Sequence, residues 1–476
     1  MREGITFHDV LLVPKRSGVT SRKHIDTGGR FSKNISISCP IVSANMDTVT
    51  EAPMAIALAR YGALGIIHRF LTIEEQVAEV AKVKRAENVI IDAPYTVSPD
   101  DSIAAAREAM KRHEVGGLLV VDAKKKLVGI ITERDIQFQT DGKLPLHRAM
   151  TKKVVTAKPG LSPDKAQEIL RDHKIEKLPL VDDKGVVVGL ITAKDIKMKI
   201  HHPDASKDKN GRLLVGAAVG VIGDYLERAA ALLEAGADIL VVDVAHGHAD
   251  HIIAAVKTIK KRWAKAELVA GNVATYEGAR DLADAGADGV KVGVGPGSIC
   301  STRIVSGAGV PQLTAIMDCA KVARERGIPI VADGGLRDSG DIVKALAAGA
   351  SCVMLGSLLA GTEESPGWTV VKNGARYKIY RGMACLTATL TRKKKEASAE
   401  EDLDPIAVAE VVPEGVESMA PYRGPVAEIV YQLQGGLRSG MSYCGSRTIQ
   451  ELWKKAEFIR ISPAAWEESR PHALDK

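Results

Sequence analysis

The sequence contains few aromatic residues and no closely spaced pair of cysteines. Only 4% of its 476 residues are Phe, Trp or Tyr, whereas glycine occurs 44 times. Many glycines with few aromatics are typical of α/β proteins, in which glycines form the tight turns between strands and helices. The six cysteines include no CxxC pair, which argues against the common zinc and redox motifs and indicates free thiols in a reducing compartment.

Long apolar runs and a strong excess of one charge are also absent. No stretch of about 18 apolar residues occurs, and the first residues lack the apolar core and cleavage site of a signal peptide. The formal net charge is +6, with Lys and Arg spread along the chain. We therefore expect a cytoplasmic protein that binds neither membranes nor nucleic acids.

Two segments of the chain resemble each other at a spacing of 60 residues, from Thr96 to Ile136 and from Thr156 to Ile196. Each segment predicts an amphipathic helix, two short strands and a second helix start. Two copies predict a domain with pseudo-twofold symmetry over residues 91–204. The matching residues are His113 and His173, Thr132 and Thr192, and Asp135 and Asp195.

Outside this insert, apolar strands alternate with helices such as Tyr225–Ala235, Tyr276–Ala285 and Ser339–Ala348. Eight strand–helix units predict a closed α/β barrel, the (β/α)₈ fold, built from residues 1–90 and 205–476 and interrupted after its second strand. The predicted strands are Pro40–Met46, Ala63–His68, Leu214–Gly220, Asp238–Gly247, Leu268–Ala274, Gly289–Gly297, Pro329–Gly335 and Cys352–Ser357.

Polar residues and glycines follow several of these strands. Because the carboxyl ends of barrel strands meet at one face, we expect these residues to form a site there. They are Asp243, His246 and His248, Asn272, the loop from Gly293 to Arg303, Asp333, and Gly356 with Ser357.

The loop after the sixth strand, GVGPGSICSTR, contains Cys300. Its glycines, at 293, 295 and 297, allow unusual backbone angles and close approach to a ligand or an ion. Beside two hydroxyl residues and Arg303, Cys300 is a candidate nucleophile. The alternative is a free thiol in a structural turn. We keep that structural interpretation for Cys39, Cys319, Cys352 and Cys444, which lie in apolar or helical contexts.

Two glycine turns follow the seventh and eighth strands, ADGG at 332–335 and Gly356 with Ser357. Barrel enzymes often bind phosphate at this position through backbone N–H groups. Ordinary strand-to-helix connections also contain such glycines, so the turns alone leave both interpretations open.

Together, the cysteine loop, the inserted repeats and the motifs ADGG, LGSLLAGTEE, YRGM, PEGVE and GGLRSGMSYCG resemble the IMP dehydrogenase / GMP reductase family. The resemblance covers nearly the whole chain in the same order. It implies a TIM barrel with an inserted tandem CBS (Bateman) domain.

The resemblance also implies a reaction. Cys300 would attack C2 of the purine of IMP, a hydride would leave to NAD, and water would release XMP from the covalent adduct. Thr302 matches a threonine that helps to activate water or the leaving group. Positions matching substrate contacts are Ser298, Asp333, Gly334, Gly335, Gly356, Ser357, Tyr380, Arg381, Gly382, Met383, Ala384 and Glu414. Positions matching cofactor contacts are Asp243, Asn272, Gly293, Val294 and Gly295.

Further ligands and assembly follow from the same resemblance. A potassium ion would be held by Gly295, Gly297 and Cys300, and by Glu468, Ser469 and Arg470 of a neighbouring subunit. The implied assembly is a homotetramer, with octamers possible through the CBS pair. Adenine or guanine nucleotides would bind in the repeats at Thr132, Asp135, Thr192 and Asp195. Helix capping is the alternative role of these four residues.

The sequence departs from the family pattern in the expected flap, residues 384–411. This interval contains no Arg-Tyr pair, although the dehydrogenase uses such an arginine to activate water. Ala384 and Cys385 replace the expected glycine and serine after YRGM. Arg392 or a neighbouring lysine is a candidate base, although a lysine is a poor base at neutral pH unless it is desolvated; the alternative is a solvated, charged flap.

The departure leaves several functions open. GMP reductase, which reduces GMP to IMP with NADPH, needs no water-activating arginine. The DVAHGHAD turn, the TEE stretch, the PEGVE context and the CBS pair favour the dehydrogenase. A nucleotide-binding protein with impaired catalysis is a further alternative. A flavin-binding barrel would explain the phosphate turns but neither Cys300 nor the repeats.

Overall fold

The computed structural model describes residues 1–86, 91, 94–113, 115–390 and 412–470. The chain forms two compact units. The barrel unit comprises Met1–Ala86, Asp204–Asp208 and Leu213–Lys476, and the inserted unit comprises Glu87–Pro203 and Lys209–Arg212. No helix in the described part of the chain is long and apolar enough to cross a membrane. The cytoplasmic location expected from the sequence stays a prediction.

Eight parallel strands close the barrel, and each pairs with its neighbour around the ring. The predicted (β/α)₈ barrel is therefore confirmed. Several strands are shorter than predicted, because the backbone leaves the extended conformation where glycines or polar residues begin. The strands are β1 (Ile41–Ser43), β2 (Leu64–Ile67), β3 (Gly216–Val219), β4 (Ile239–Asp243), β5 (Glu267–Val273), β6 (Gly289–Val292), β7 (Ile330–Asp333) and β8 (Cys352–Leu355).

Side chains alternate between the barrel interior and the surrounding helices along each strand. In β4, Ile239 and Val241 pack inside the barrel, whereas Leu240 and Val242 pack against the helices. Both layers are fully buried, which explains why the strands appear in the sequence as continuous apolar runs.

Helices surround the barrel and connect successive strands. Several begin at a side-chain cap; for example, Thr275 accepts a hydrogen bond from the N–H of Gly278, and Asp338 accepts one from the N–H of Asp341. The main helices are α1 (Ala52–Arg60), α2 (Ile73–Ala86), α3 (Tyr225–Glu234), α4 (Asp250–Arg262), α5 (Tyr276–Asp284), α6 (Gln312–Arg326), α7 (Ser339–Ala347) and α8 (Val426–Tyr443).

Smaller elements complete the barrel unit. Strand Val10–Leu12 pairs with Phe458–Arg460, and Gly29–Arg30 pairs with Ser36–Ile37. A three-stranded antiparallel sheet contains Thr369–Lys372, Ala375–Arg381 and Glu417–Pro421. The short helices are Phe7–Asp9, Arg22–His24, Thr302–Ser306, Ser357–Ala360, Ile449–Lys455 and Pro463–Glu468.

The inserted unit contains the two sequence repeats, and each repeat forms a helix followed by an antiparallel strand pair and a second helix. Each repeat also has its own apolar core. The first repeat contains Thr96–Val97, Ile103–His113, Gly117–Val121, Leu127–Thr132 and Glu133–Ile136, and the short helix Leu146–Arg148 follows it. The second contains Pro163–Asp172, Lys177–Val181, Val187–Thr192 and Ala193–His201.

Candidate active site

The loop after β6 lies directly against the end of β7. Gly293 has a φ of 151°, and a Cβ atom there would lie 2.0 Å from the carbonyl oxygen of Asp333. Only glycine fits this conformation and this close approach. Arg303 closes the loop by donating to the carbonyls of Val294, at 3.2 Å, and Val310, at 2.6 Å. Residues 293–303 are therefore held beside the carboxylate that ends β7.

Cys300 is exposed, and its thiol is connected to a carboxylate through a hydroxyl group. The Sγ atom donates to Oγ1 of Thr302 at 3.2 Å, and this hydroxyl donates to Oε2 of Glu414 at 2.7 Å. Backbone pairing brings the distant segments together, because Cys300 pairs with Gly415 and the N–H of Ser301 donates to the carbonyl of Glu414 at 2.9 Å. The chain thus contains a route for the thiol proton toward Glu414.

The other five cysteines are buried. Burial raises the pKa of the Cys39 thiol to about 12 and also raises the pKa values of Cys319, Cys352 and Cys444. A thiol of high pKa rarely forms the reactive thiolate at neutral pH. Exposure and location therefore distinguish Cys300 from the rest.

A first cavity of about 340 Å³ lies between the loops after β6, β7 and β8. The glycine turns of β7 and β8 line it, as do Ser298 and Tyr380, whose oxygen atoms are 3.5 Å apart. Burial raises the pKa of Tyr380, so its hydroxyl stays a neutral donor. A Cβ atom on Gly356 would lie 3.1 Å from that hydroxyl oxygen, so this glycine keeps the cavity open.

A second cavity of about 200 Å³ contains the thiol. Cys300, Thr302 and Glu414 line it together with the turn at 382–384 and Asn272. Six residues line both cavities: Met46, Pro296, Gly297, Asp333, Gly334 and Tyr380. The two cavities are therefore continuous, with backbone donors at one end and the thiol at the other.

A third cavity, of about 800 Å³, lies beyond the ends of β2, β3 and β4. Val244 and His246 line it, whereas Ala245 between them lines the second cavity, so the two cavities adjoin. Arg69 and His251 add basic side chains to its wall. His248, also noted in the sequence, instead pairs with Asp281 at 2.9 Å.

Sequence reasoning missed Lys291, which lies below these cavities inside the barrel. Its Nζ atom donates to Asp243 at 2.5 Å, to Asp333 at 2.7 Å and to the side-chain oxygen of Asn272. Burial opposes ionisation of Asp243, but the Lys291 charge and hydrogen bonds lower its pKa overall. Burial likewise opposes the charge on Lys291, and the two carboxylates raise its pKa. A lysine within the buried strand GVKV was the available signal.

The remaining predicted residues occupy different environments. Arg381 pairs with Asp47 at 2.9 Å beside the turn at 382–384. Glu468 ends the helix Pro463–Glu468, and Ser469 and Arg470 follow it, bonding within that segment. No cluster of three His, Cys, Asp or Glu side chains suited to a metal occurs in the described residues, so a cation at residues 295–300 would need carbonyl ligands.

In the inserted unit, a cavity of about 610 Å³ is lined by Thr132 and Asp135. The Asp135 carboxylate accepts bonds from the N–H, at 2.8 Å, and the hydroxyl, at 2.7 Å, of Thr132. This capping box shows that the structural role of these residues holds in the first repeat. Thr192 ends the corresponding strand of the second repeat. The side chain of Asp195, and Arg392 with most of the flap, lie outside the described residues.

These features define the class of protein: the chain is a (β/α)₈-barrel enzyme with an exposed cysteine at one end of a double cavity whose other end is lined by glycine turns. A family model described as the IMP dehydrogenase / GMP reductase domain matches residues 4–472. The chain therefore belongs to the IMP dehydrogenase / GMP reductase family, as its motifs indicated.

Curated relatives support this assignment over nearly the full length. The chain is 58% identical to the inosine-5′-monophosphate dehydrogenase of Nitrosopumilus maritimus, covering 99% of this chain and 98% of the relative. It is 53% identical to that of Aquifex aeolicus and 51% identical to that of Bacillus subtilis, in each case over 99% of this chain and 96% of the relative.

Solved structures of the family have the same fold. A cysteine-to-alanine variant of the Trypanosoma brucei GMP reductase, in complex with guanosine 5′-monophosphate, superposes with a TM-score of 0.93 at 46% identity. The match covers 100% of this chain and 99% of that chain. The same reductase with guanosine 5′-triphosphate has a TM-score of 0.81 at 43% identity, covering 97% and 98% of the two chains.

Proposed function

We propose that the chain is an IMP dehydrogenase that oxidises IMP to XMP through a covalent adduct on Cys300. The observation that carries this proposal is the linked set of Cys300, Thr302 and Glu414 at the end of a cavity whose other end is lined by glycine turns. The curated relatives, all named for this activity, support the same conclusion.

The two continuous cavities match the parts of a purine mononucleotide. The 5′-phosphate would accept hydrogen bonds from the backbone of Gly334, Gly335 and Gly356 and from the hydroxyls of Ser357 and Tyr380. Asp333 lines both cavities and, as a carboxylate acceptor, suits the ribose hydroxyls between them. The purine would then occupy the cavity that contains Cys300, with Ser298 on the phosphate side.

The first chemical step joins the thiol to C2 of the purine. The thiol proton would pass through the Thr302 hydroxyl to Glu414, along the 3.2 Å and 2.7 Å hydrogen bonds. A nucleophile activated by a nearby base splits one difficult step into two easier ones. When bound, NAD supplies the acceptor for the hydride that leaves C2.

The third cavity fits the remainder of a dinucleotide. It adjoins the thiol cavity through residues 244–246, and Arg69, His246 and His251 provide donors for phosphate groups. Asn272, Gly293 and Gly295 line the thiol cavity, and Asp243 directly precedes residues 244–246; these residues, with Val294, would contact the nicotinamide end. This placement is part of the proposal and depends on the adjacency of the two cavities at residues 244–246.

Hydrolysis of the adduct needs a base, and the described residues offer Glu414 acting through Thr302. Once the first proton has left Glu414 to solvent, the carboxylate would accept a proton from water through the Thr302 hydroxyl, and the Cys300 sulfur would leave C2 as water adds there. The sequence expectation for Arg392 stays a prediction.

The proposal includes the ligands and the assembly that the family resemblance implies. Carbonyls of Gly295, Gly297 and Cys300 would hold potassium with residues 468–470 of a neighbouring subunit in a tetramer. Adenine or guanine nucleotides would bind the cavity at Thr132 and its counterpart in the second repeat. Lys153, Lys174 and Lys177 line that cavity and would favour phosphate groups.

A second candidate is GMP reductase, which two observations favour. The interval 384–411 contains no Arg-Tyr pair, and two reductase structures match the chain over nearly its whole length. In that reaction Thr302 and Glu414 would donate a proton to the departing ammonia, and NADPH would supply the hydride.

The absorbance of reduced nicotinamide distinguishes the candidates. The purified full chain is incubated, with potassium present, either with IMP and NAD or with GMP and NADPH. An increase in the first mixture supports the dehydrogenase, and a decrease in the second alone supports the reductase. If neither changes, the proposal fails and a nucleotide-binding role without catalysis replaces it.

A further inference from the structure

Lys291 has no N–H group left for a ligand. Its side chain is 2% exposed, and its three ammonium donors face three acceptors: Asp243 at 2.5 Å, Asp333 at 2.7 Å and the amide oxygen of Asn272. A lysine so enclosed can affect substrate or cofactor only through the groups that it holds. Its effect on the reaction must therefore be sought in the two carboxylates.

The two carboxylates face different parts of the site. Asp333 lines both nucleotide cavities. Asp243 ends β4 immediately before residues 244–246, where the thiol cavity meets the third cavity. The other oxygen of Asp243 accepts a hydrogen bond from Asn45 at 2.8 Å. One ammonium group is thus shared between a carboxylate that lines both nucleotide cavities and a carboxylate that directly precedes residues 244–246.

The same network reaches the cysteine loop. The amide nitrogen of Asn272 donates to Asp333 at 2.9 Å and to the carbonyl of Gly293 at 2.7 Å. Gly293 begins the loop that contains Cys300. One buried cluster therefore positions the loop that contains Cys300 and the carboxylates of Asp333 and Asp243.

Charge explains why the cluster needs a cation. Two carboxylates near each other inside a barrel repel, and without a counter-charge one of them takes up a proton. Beside Lys291, the charged or titratable groups that influence the pair are Arg69, near Asp243, and Tyr380, near Asp333. Arg69 alone would leave Asp333 without a directly bonded cation.

We propose that Lys291 is a positioning residue that holds the carboxylates of Asp243 and Asp333 in place for the cofactor half and the substrate half of the site. This inference rests on the proposed function. It predicts that substrate recognition and cofactor recognition weaken together when the ammonium group is removed.

The test compares Lys291→Met and Lys291→Arg with wild type in the full chain. For Lys291→Met we expect kcat/KM for both IMP and NAD to fall about 10- to 100-fold, as for other residues that orient a ligand-binding group from behind. The acid limb of the pH profile of kcat/KM should move toward neutral pH, because Asp243 protonates more readily once the charge and hydrogen bonds of Lys291 are lost. Lys291→Arg should keep the limb in place. In the double variant that combines Lys291→Met with Asp243→Asn, the acid limb should return to its wild-type position, because only one of the two carboxylates remains.

Lys84 offers a matched control at the opposite end of the barrel. It is also buried, and it pairs with Asp208 at 3.2 Å and Asp238 at 2.6 Å, the latter directly before β4. Lys84→Met should lower stability without moving the acid limb.

Two outcomes would overturn the inference. One is a Lys291→Met enzyme with the same acid limb as wild type; the other is a loss of stability alone, as expected for Lys84→Met. IMP binding measured by calorimetry over the same pH range distinguishes failure of this inference from failure of the proposed function. If wild-type protein binds no IMP, the proposed function fails and the inference fails with it; if IMP binds with a pH dependence that Lys291→Met leaves unchanged, the inference alone fails.

Discussion

Replacing Gly293 with alanine should disrupt the contact between the cysteine loop and β7. The new methyl carbon would lie 2.0 Å from the carbonyl oxygen of Asp333, at a φ of 151° that side chains rarely adopt. Backbone strain costs about 1–3 kcal/mol, and forcing the clash apart costs about 1–3 kcal/mol more. We expect a total loss of about 2–6 kcal/mol in the free energy of unfolding.

Gly327→Ala provides the control for strain alone. Gly327 ends α6 with a φ of 69°, and no atom lies within 4 Å of an added Cβ. It should lose about 1 kcal/mol. Urea unfolding followed by tryptophan fluorescence is a suitable assay, because all four tryptophans belong to the barrel unit.

Activity provides a second measure of the same contact. A displacement of the cysteine loop by about 1 Å can reduce turnover about 100-fold, so Gly293→Ala should lose activity beyond its loss of stability. If Gly293→Ala unfolds at the same urea concentration as Gly327→Ala and keeps full turnover, the close approach of the loop to Asp333 is refuted.

Three further predictions concern the reactive groups. Thr302→Val should lower kcat about 100-fold with KM for IMP nearly unchanged, since it interrupts the route to Glu414; a normal kcat would exclude the relay. Under native conditions iodoacetamide should alkylate Cys300 and leave Cys39 unmodified, and peptide mass spectrometry would contradict this if Cys39 reacted first. Because the folded-state pKa of Asp243 is lowered, its stabilising contribution should be fully present above its ordinary pKa and be lost as the pH falls through the lower folded value. Asp243→Asn should remove the contribution of Asp243 to the pH dependence of the free energy of unfolding at acid pH. An unchanged pH dependence in this variant would contradict the prediction.

The barrel could be predicted because its physical cause is visible in the sequence. Parallel strands covered on both faces, such as β4 and β7, must be apolar throughout, and glycine or polar residues mark where they end. The predicted strand Gly289–Gly297 was too long, because the apolar and glycine residues after Val292 form the turn that begins at Gly293.

The site was predicted less completely, and for different reasons. The hydrogen bond from Thr302 to Glu414 joins residues 112 positions apart, and no local pattern encodes it. The family resemblance identified Thr302 and Glu414 as site residues but did not reveal the hydrogen bond between them. Lys291 was missed because a single charged residue in an apolar run indicates little until the acceptors on neighbouring strands are known. Its partners, Asp243 and Asp333, were identified one by one from their positions after strands.

The most direct test of the central claim is mass spectrometry of the protein after acid quench during turnover with IMP and NAD. The covalent mechanism predicts an added purine nucleotide on the peptide that contains Cys300, and no addition in Cys300→Ala, which should still bind IMP. Turnover by Cys300→Ala above about a tenth of the wild-type rate, or a nucleotide attached at another residue, would contradict the mechanism.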